Sequence, residues 1–337
     1  MKPSIFDFEE ARVKEEVRKH NAKRVLIQLP EGLKPQGPRL AEAVEETGAQ
    51  VIVSADPCYG ACDLALEEAD DLNVDLVIHF GHSSMHRGKH ERVSVVYIET
   101  KATLRLETAV KKALPLLKAW KRIGLVTTVQ HVDQLDEAER MLLKAGKSVA
   151  VGDAGRLKYA GQVIGCDYSN ADAVAEDVDC FLFAGGGRFH AIGVALATSK
   201  PVVVADPYEE RAYSVDSEAE RIRKQRWASI RAAVHGERVG ILVGLKSGQR
   251  RLEKALQISN RLKKAGKKSY LLAIREVTPE SLREFPTLDA YVNTACPRIS
   301  LDDASRFHKP VLTVNEALVV AGEITWEQLL RKGWFED

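Results

Sequence analysis

No stretch of this chain is apolar for long enough to cross a bilayer as a helix. Runs such as VDCFLFAGGG at 178–187 fall well short of the roughly 20 residues a span needs. A surplus of either charge is missing as well. Lys and Arg number 49 against 48 Asp and Glu, a net charge of +1, so no overall basic field draws the chain to nucleic acid. The basic segment RIRKQRWASIR at 221–231 reads as the solvated face of a helix. Aromatics are only 6% of residues and methionines only 3. Cysteine is sparse at 5 residues, an odd count, and the opening MKPSIFDFEEARVKEEV is acidic and amphipathic with no apolar signal core. These absences argue against a disulfide framework and lead us to expect a cytoplasmic protein with no membrane span and no direct nucleic-acid partner. Reduced thiols in such a chain are core residues, nucleophiles or metal ligands. Walker A, G-x-S-x-G, H-E-x-x-H and G-x-G-x-x-G patterns are all missing, which removes the commonest nucleotide, serine-hydrolase, zinc-protease and dinucleotide signatures.

What is present is a repeat. The segments AKRVLIQLPEGLKPQGPRLAEAVEETGAQ (22–50), WKRIGLVTTVQHVDQLDEAERMLLKAGKS (120–148) and GERVGILVGLKSGQRRLEKALQISNRLKKAGKKS (236–269) share one plan. Each has a basic start, a continuous apolar strand, a loop, and an amphipathic helix ending at a glycine. Three further strands follow in each copy. Continuous apolar runs suit parallel strands buried on both faces, and strand–helix alternation implies right-handed crossovers. We therefore expect an α/β fold of three similar parallel βα modules, a triplicated unit of about four strands each, at 1–105, 106–212 and 213–337, around a central cleft. Ligands on such sheets sit beyond the carboxyl ends of the strands.

Each module offers one cysteine there: Cys62 and Cys166 in segments after a second strand, Cys296 directly after a third. Cys180 lies inside an apolar strand and reads as core. Cys58 stands four positions before Cys62. The three loop cysteines are roughly 100 and 130 residues apart, unlike a zinc ribbon. By spacing alone they fit an iron–sulfur cluster, another metal or redox pair, or unrelated loop thiols. Histidines gather in IHFGHSSMHRGKH as His79, His82, His86 and His90. His82 and His86 have helical ligand spacing, yet Gly and Ser surround them, so His79 reads as core and His82 as the one placed to meet a ligand. GGGRFH at 185–190 opens a helix, which suits a small nucleoside or amino-acid ligand or simply tight packing.

In order along the chain, YGACDLA, GHSSM, TTVQHVDQL, GQVIGCDYS, GGGRFHAIGVALAT, DPY, RKQRW and ACPRISLDD are similar to the archaeal diphthamide-synthesis enzymes, the 2-(3-amino-3-carboxypropyl)histidine synthase family. The resemblance spans roughly 20–320. It implies a [4Fe–4S] cluster held by Cys62, Cys166 and Cys296, with one iron open. It implies cleavage of S-adenosylmethionine between sulfur and the methionyl γ-carbon, and radical transfer of the 3-amino-3-carboxypropyl group to imidazole C2 of a histidine on translation elongation factor 2. The by-product is 5′-methylthioadenosine; an electron donor and a homodimer are implied too. Cys58 is an additional thiol beside the first ligand. For contacts to S-adenosylmethionine the post-strand loops offer Gln28, His82, Gln130, His131, Gly185, Gly186 and Gln249, each of which could equally cap a helix or support a loop. Pro30, Glu31 and Gly32 read as a turn. Two other readings stay open: a quinolinate-synthase-like iron–sulfur dehydratase, and a non-catalytic small-molecule-binding protein.

Overall fold

The structure is a computed structural model that describes residues 4–85 and 93–335. It contains three sheets. The first comprises β1 (Arg24–Gln28), β2 (Gln50–Val53), β3 (Leu76–Phe80) and β4 (Ser94–Ile98). The second comprises β5 (Arg122–Thr127), β6 (Ser148–Ala150), β7 (Cys180–Ala184), β8 (Val202–Asp206) and β9 (Arg211–Ser214). The third comprises β10 (Arg238–Gly244), β11 (Lys268–Ile274), β12 (Ala290–Asn293) and β13 (Val311–Leu312). All three share the order second–first–third–fourth, and every pairing but one is parallel. The order reverses between the first and third strands of each sheet. Loops leaving those two strands diverge there and open the crevice in which such folds bind ligands.

The repeat extends to its fastenings. Helices Gly37–Glu45, Leu135–Lys144 and Leu252–Lys264 run into Gly48, Gly146 and Gly266, whose φ of 88°, 77° and 81° turn the chain toward the next strand. Asp75, Asp179 and Asp289 precede each third strand. Each accepts two backbone N–H bonds, from Lys23 and Arg24, Lys121 and Arg122, and Glu237 and Arg238 respectively. One carboxylate thus fixes where the first strand begins beside the third. The inner strands are buried throughout β3, β7 and β12, and Cys180 within β7 is fully enclosed.

Two features depart from the expectation. The second sheet has a fifth strand, β9, antiparallel to β8, and it straddles the expected 212/213 boundary. The DPY segment makes the hairpin: Asp206 accepts from the N–H groups of Tyr208 and Glu209, a turn that the alternation of strands and helices does not announce. The helix Asp216–His235 is also not a simple solvated face. Ile222, Arg226 and Ile230 are buried along it, where it packs against helices Phe189–Thr198 and Val314–Val320. Arg226 pairs with Glu316, also fully buried, so one of the basic residues belongs to the core.

Candidate metal centre

The three loop cysteines are half-buried, and each is held by a different device. Cys62, after β2, is braced by the loop after β10. The Gly248 N–H donates to the Cys62 carbonyl at 2.8 Å. A Cβ at 248 would stand 2.5 Å from Cys62 Cα, so the approach requires glycine. Beside it, Lys246 binds Asp63 at 2.7 Å and Glu276 at 2.5 Å, and Gln249 Nε2 donates to Cys62 Sγ at 3.5 Å. Cys166 lies in the long segment after β6. That segment extends the second sheet, because Thr127 exchanges backbone hydrogen bonds with Gly161 and Val163. It is tied to the first sheet by Gln162 Nε2, which donates to Ser83 Oγ at 2.8 Å. Cys296 directly follows β12 at the start of helix Pro297–Asp302, and Asn293 Nδ2 donates to its carbonyl at 2.6 Å.

The thiols sense one another. Burial first, then the nearness of Cys62 and Cys296, pushes Cys166 up to about 12. Burial and Cys62 push Cys296 up to about 11, and burial raises Cys62. Among the described residues these three sulfurs do not form a trio within 4.8 Å of one another, the packing a single ion demands. Three sulfur donors from three loops, neighbours yet more widely spaced, fit a polynuclear iron–sulfur centre. The positive charge of bound iron would outweigh that repulsion and favour the thiolates, which are the ligand form.

Cys58 goes elsewhere. It is buried, and its Sγ groups with the ring nitrogens of His79 and His82, all within 4.8 Å. His79, buried as expected, donates from Nδ1 to Gln28 Oε1 at 2.8 Å. Its Nε2 accepts from His82 Nδ1 at 2.9 Å. Burial lowers His82 to about 4; burial, Arg298 and His82 lower His190 to about 3. Both imidazoles are neutral at pH 7. His86 and His90 lie outside the described residues.

The remaining candidates divide. Gln28 commits its Nε2 to the Asp63 carbonyl at 2.7 Å and its Oε1 to the Ala65 N–H and His79, so it shapes the Cys62 loop. Gln130 Nε2 donates to the carbonyls of Gly81 at 2.7 Å and Glu99 at 3.3 Å, joining the first two sheets. Both amides are thus engaged by the protein itself. His131 is buried, shares a 3.1 Å hydrogen bond with Tyr208 Oη, and leaves Nδ1 without a partner. Burial lowers it to about 4. Gly185 and Gly186 are close-packed: added Cβ atoms would stand 3.1 Å from the Phe183 ring and 2.5 Å from the Tyr208 ring. An added side chain at either position would meet those rings.

Sequence reasoning missed Arg298, two residues beyond Cys296 in the ACPRISLDD motif. It is 4% exposed, and its Cζ stacks 3.8 Å from the centre of the Phe189 ring. Only the placement of a charged residue beside a candidate ligand could have flagged it.

Comparisons with known proteins bear on the family and the fold. A family model described as "Putative diphthamide synthesis protein" matches residues 29–330. The chain is 37% identical over 320 residues to the 2-(3-amino-3-carboxypropyl)histidine synthase of Pyrococcus horikoshii, covering 94% of this chain and 91% of that one. It is 31% identical to subunit 1 of the Gallus gallus synthase, over 97% of this chain and 79% of that one. The crystal structure of Dph2 from Pyrococcus horikoshii with a 4Fe-4S cluster superposes with a TM-score of 0.87 at 35% identity, covering 98% of this chain and 94% of that one. The chain belongs to the diphthamide synthesis protein family.

Proposed function

We propose that this protein is a 2-(3-amino-3-carboxypropyl)histidine synthase. In this reading it transfers the 3-amino-3-carboxypropyl group of S-adenosylmethionine to imidazole C2 of a histidine on translation elongation factor 2 and releases 5′-methylthioadenosine. One observation carries the reading. The fold matches, at 35% identity, a relative crystallised with a 4Fe-4S cluster, and each of the three sheets contributes one half-buried loop cysteine. Cys62, Cys166 and Cys296 are the ligands in this assignment, and Cys58 is not among them.

What a bound cluster supplies is one electron and an iron position left open by three-cysteine ligation. The protein's own residues do the rest. Gln249 directs an amide N–H at the Cys62 sulfur, and hydrogen bonds to a ligating sulfur stabilise its negative charge and tune the potential. The Lys246–Asp63–Glu276 group and Gly248 hold the Cys62 loop in place. His82 and His190, neutral at pH 7, add polar edges without charge, and Phe189 adds an apolar ring. Such a wall keeps water from a reactive carbon while leaving the substrate's direction to a few contacts. His82 and Gln249 are the sequence candidates we assign to S-adenosylmethionine. Gln28 and Gln130 act through the loops they tie. The reading also carries an external electron donor, a homodimer and a cytoplasmic location; among the described residues no helix is long and apolar enough to cross a membrane.

The test is anaerobic purification or iron–sulfide reconstitution, followed by dithionite, labelled S-adenosylmethionine and an archaeal elongation factor 2. Brown protein with about four irons per chain is expected, together with label on the factor and methylthioadenosine in solution. Colourless protein after reconstitution sinks the reading. Cys62→Ala, Cys166→Ala and Cys296→Ala should each lose most of the iron and its absorbance, and Cys58→Ala should retain both.

A further inference from the structure

Among the described residues Arg298 and Tyr168 each keep a buried polar atom without a partner near the cysteines, and only Arg298 carries a charge. A guanidinium has five N–H donors. Here Nε donates to Asp302 Oδ2 at 2.6 Å, and Nη2 donates to Asp302 Oδ1 at 2.9 Å and to the Phe189 carbonyl at 2.8 Å. Nη1 has no partner and is buried. Both of its hydrogens therefore lack an acceptor, on a side chain held rigid by a forked carboxylate, a carbonyl and an aromatic ring. The position is equally defined. Arg298 follows Cys296 by two residues, and its Cγ lies 3.8 Å from where a Cβ would stand on Gly165, the residue before Cys166. The neighbouring imidazole of His190 is neutral, so it offers the guanidinium no charge to meet. A buried cationic nitrogen with two open donors, aligned by its other contacts, is built for an anionic oxygen pair.

We infer that Arg298 Nη1 is the anchor for the α-carboxylate of an amino-acid substrate held beside the cysteines. Under the proposed function, on which this rests, that group is the carboxylate of the aminocarboxypropyl arm of S-adenosylmethionine. Arg298 is then a positioning contact. The carboxylate end of the arm is pinned near Cys296, and this fixes which carbon of the sulfonium faces the centre. Nothing in this role requires Arg298 to gain or lose a proton.

The experiment uses the reconstituted cluster-loaded protein without reductant, so that no turnover occurs. Binding of S-adenosylmethionine and of its decarboxylated analogue, which lacks only the carboxylate, is measured by equilibrium dialysis. Wild type should prefer S-adenosylmethionine by about 10- to 100-fold, the range of a hydrogen bond to a charged group. In Arg298→Gln the preference should collapse toward one, by weaker binding of S-adenosylmethionine, with the analogue's affinity and the iron content unchanged. Arg298→Lys keeps the charge that Asp302 requires but loses the second donor nitrogen. It should show a severalfold smaller preference, and it decides the matter if the glutamine variant does not fold. Equal binding of the two ligands by wild type overturns the inference and leaves the functional reading standing. An undiminished preference in the variants also overturns it, whether or not a shifted visible spectrum shows Nη1 to serve the cluster's sulfurs instead. Failure of wild type to bind either ligand overturns the functional reading and the inference with it.

Discussion

Two arginines of the C-terminal half are buried, and they differ in how completely they are paired. Arg226 and its partner Glu316 are both fully enclosed. Arg226 spends Nε on Glu316, Nη1 on the Ser300 carbonyl at 2.6 Å, and Nη2 on the Val311 carbonyl and Glu316. Glu316 is closed in turn by the Thr313 N–H and by Trp334 Nε1 at 2.8 Å. Arg298 has a partner, Asp302, whose side chain is 29% exposed, and it keeps one nitrogen unused. Burial and charge alone would rank both as functional candidates. A nitrogen with no bond at all separates a binding group from a clasp: Arg226 makes four bonds and engages all three nitrogens, whereas Arg298 makes three and leaves Nη1 out.

The largest effect that tests this contrast is on stability. Arg226→Met should cost about 3–5 kcal/mol in urea unfolding, because Glu316 is left charged and enclosed. Adding Glu316→Gln should recover part of the loss. Arg298→Gln should cost only about 1–2 kcal/mol, since water still reaches Asp302. If the two single variants cost the same, completeness of pairing is not what distinguishes the sites.

A smaller effect concerns His131, another buried group with an unspent nitrogen. Its folded pKa of about 4 lies below the unfolded value near 6.5. The unfolded chain therefore takes up the proton first, and stability should fall as the pH drops from about 6.5 to about 4. Above that window the residue contributes no pH dependence. Unfolding free energies at pH 7, 6 and 5 should decline less steeply in His131→Gln than in wild type. Parallel slopes would show that His131 is not the group responsible. The smallest effect belongs to Cys180→Ala, at about 1 kcal/mol of lost packing with iron content unchanged. Loss of iron there would mean that the thiol inside β7 reaches the centre after all.

Much of the fold was legible because it is written three times. The apolar runs of β1, β5 and β10 and the glycines at 48, 146 and 266 recur at matching positions, and each acts locally. What was not legible depends on partners distant in sequence. Arg226 looks like part of a basic helix face until Glu316, 90 residues on, is brought beside it. Gln28 and Gln130 sit where a ligand contact belongs, but their amides are claimed by backbone carbonyls of other segments. β9 was hidden because, among the described residues, a hairpin turn like that on Asp206 has no counterpart in the other two sheets. Cys62, Cys166 and Cys296 could be placed after strands, but spacing alone left their meeting undecided.

The brace on the Cys62 loop has a consequence in time. Its anchors come from the third sheet, with Asp63 and Lys246 separated by 183 residues. A ribosome adds about 5–20 residues per second. For roughly 10–40 seconds of synthesis, then, the first cysteine of the trio waits without the loop that shapes it. The pocket around Cys62 is finished only once the chain of the third sheet has emerged.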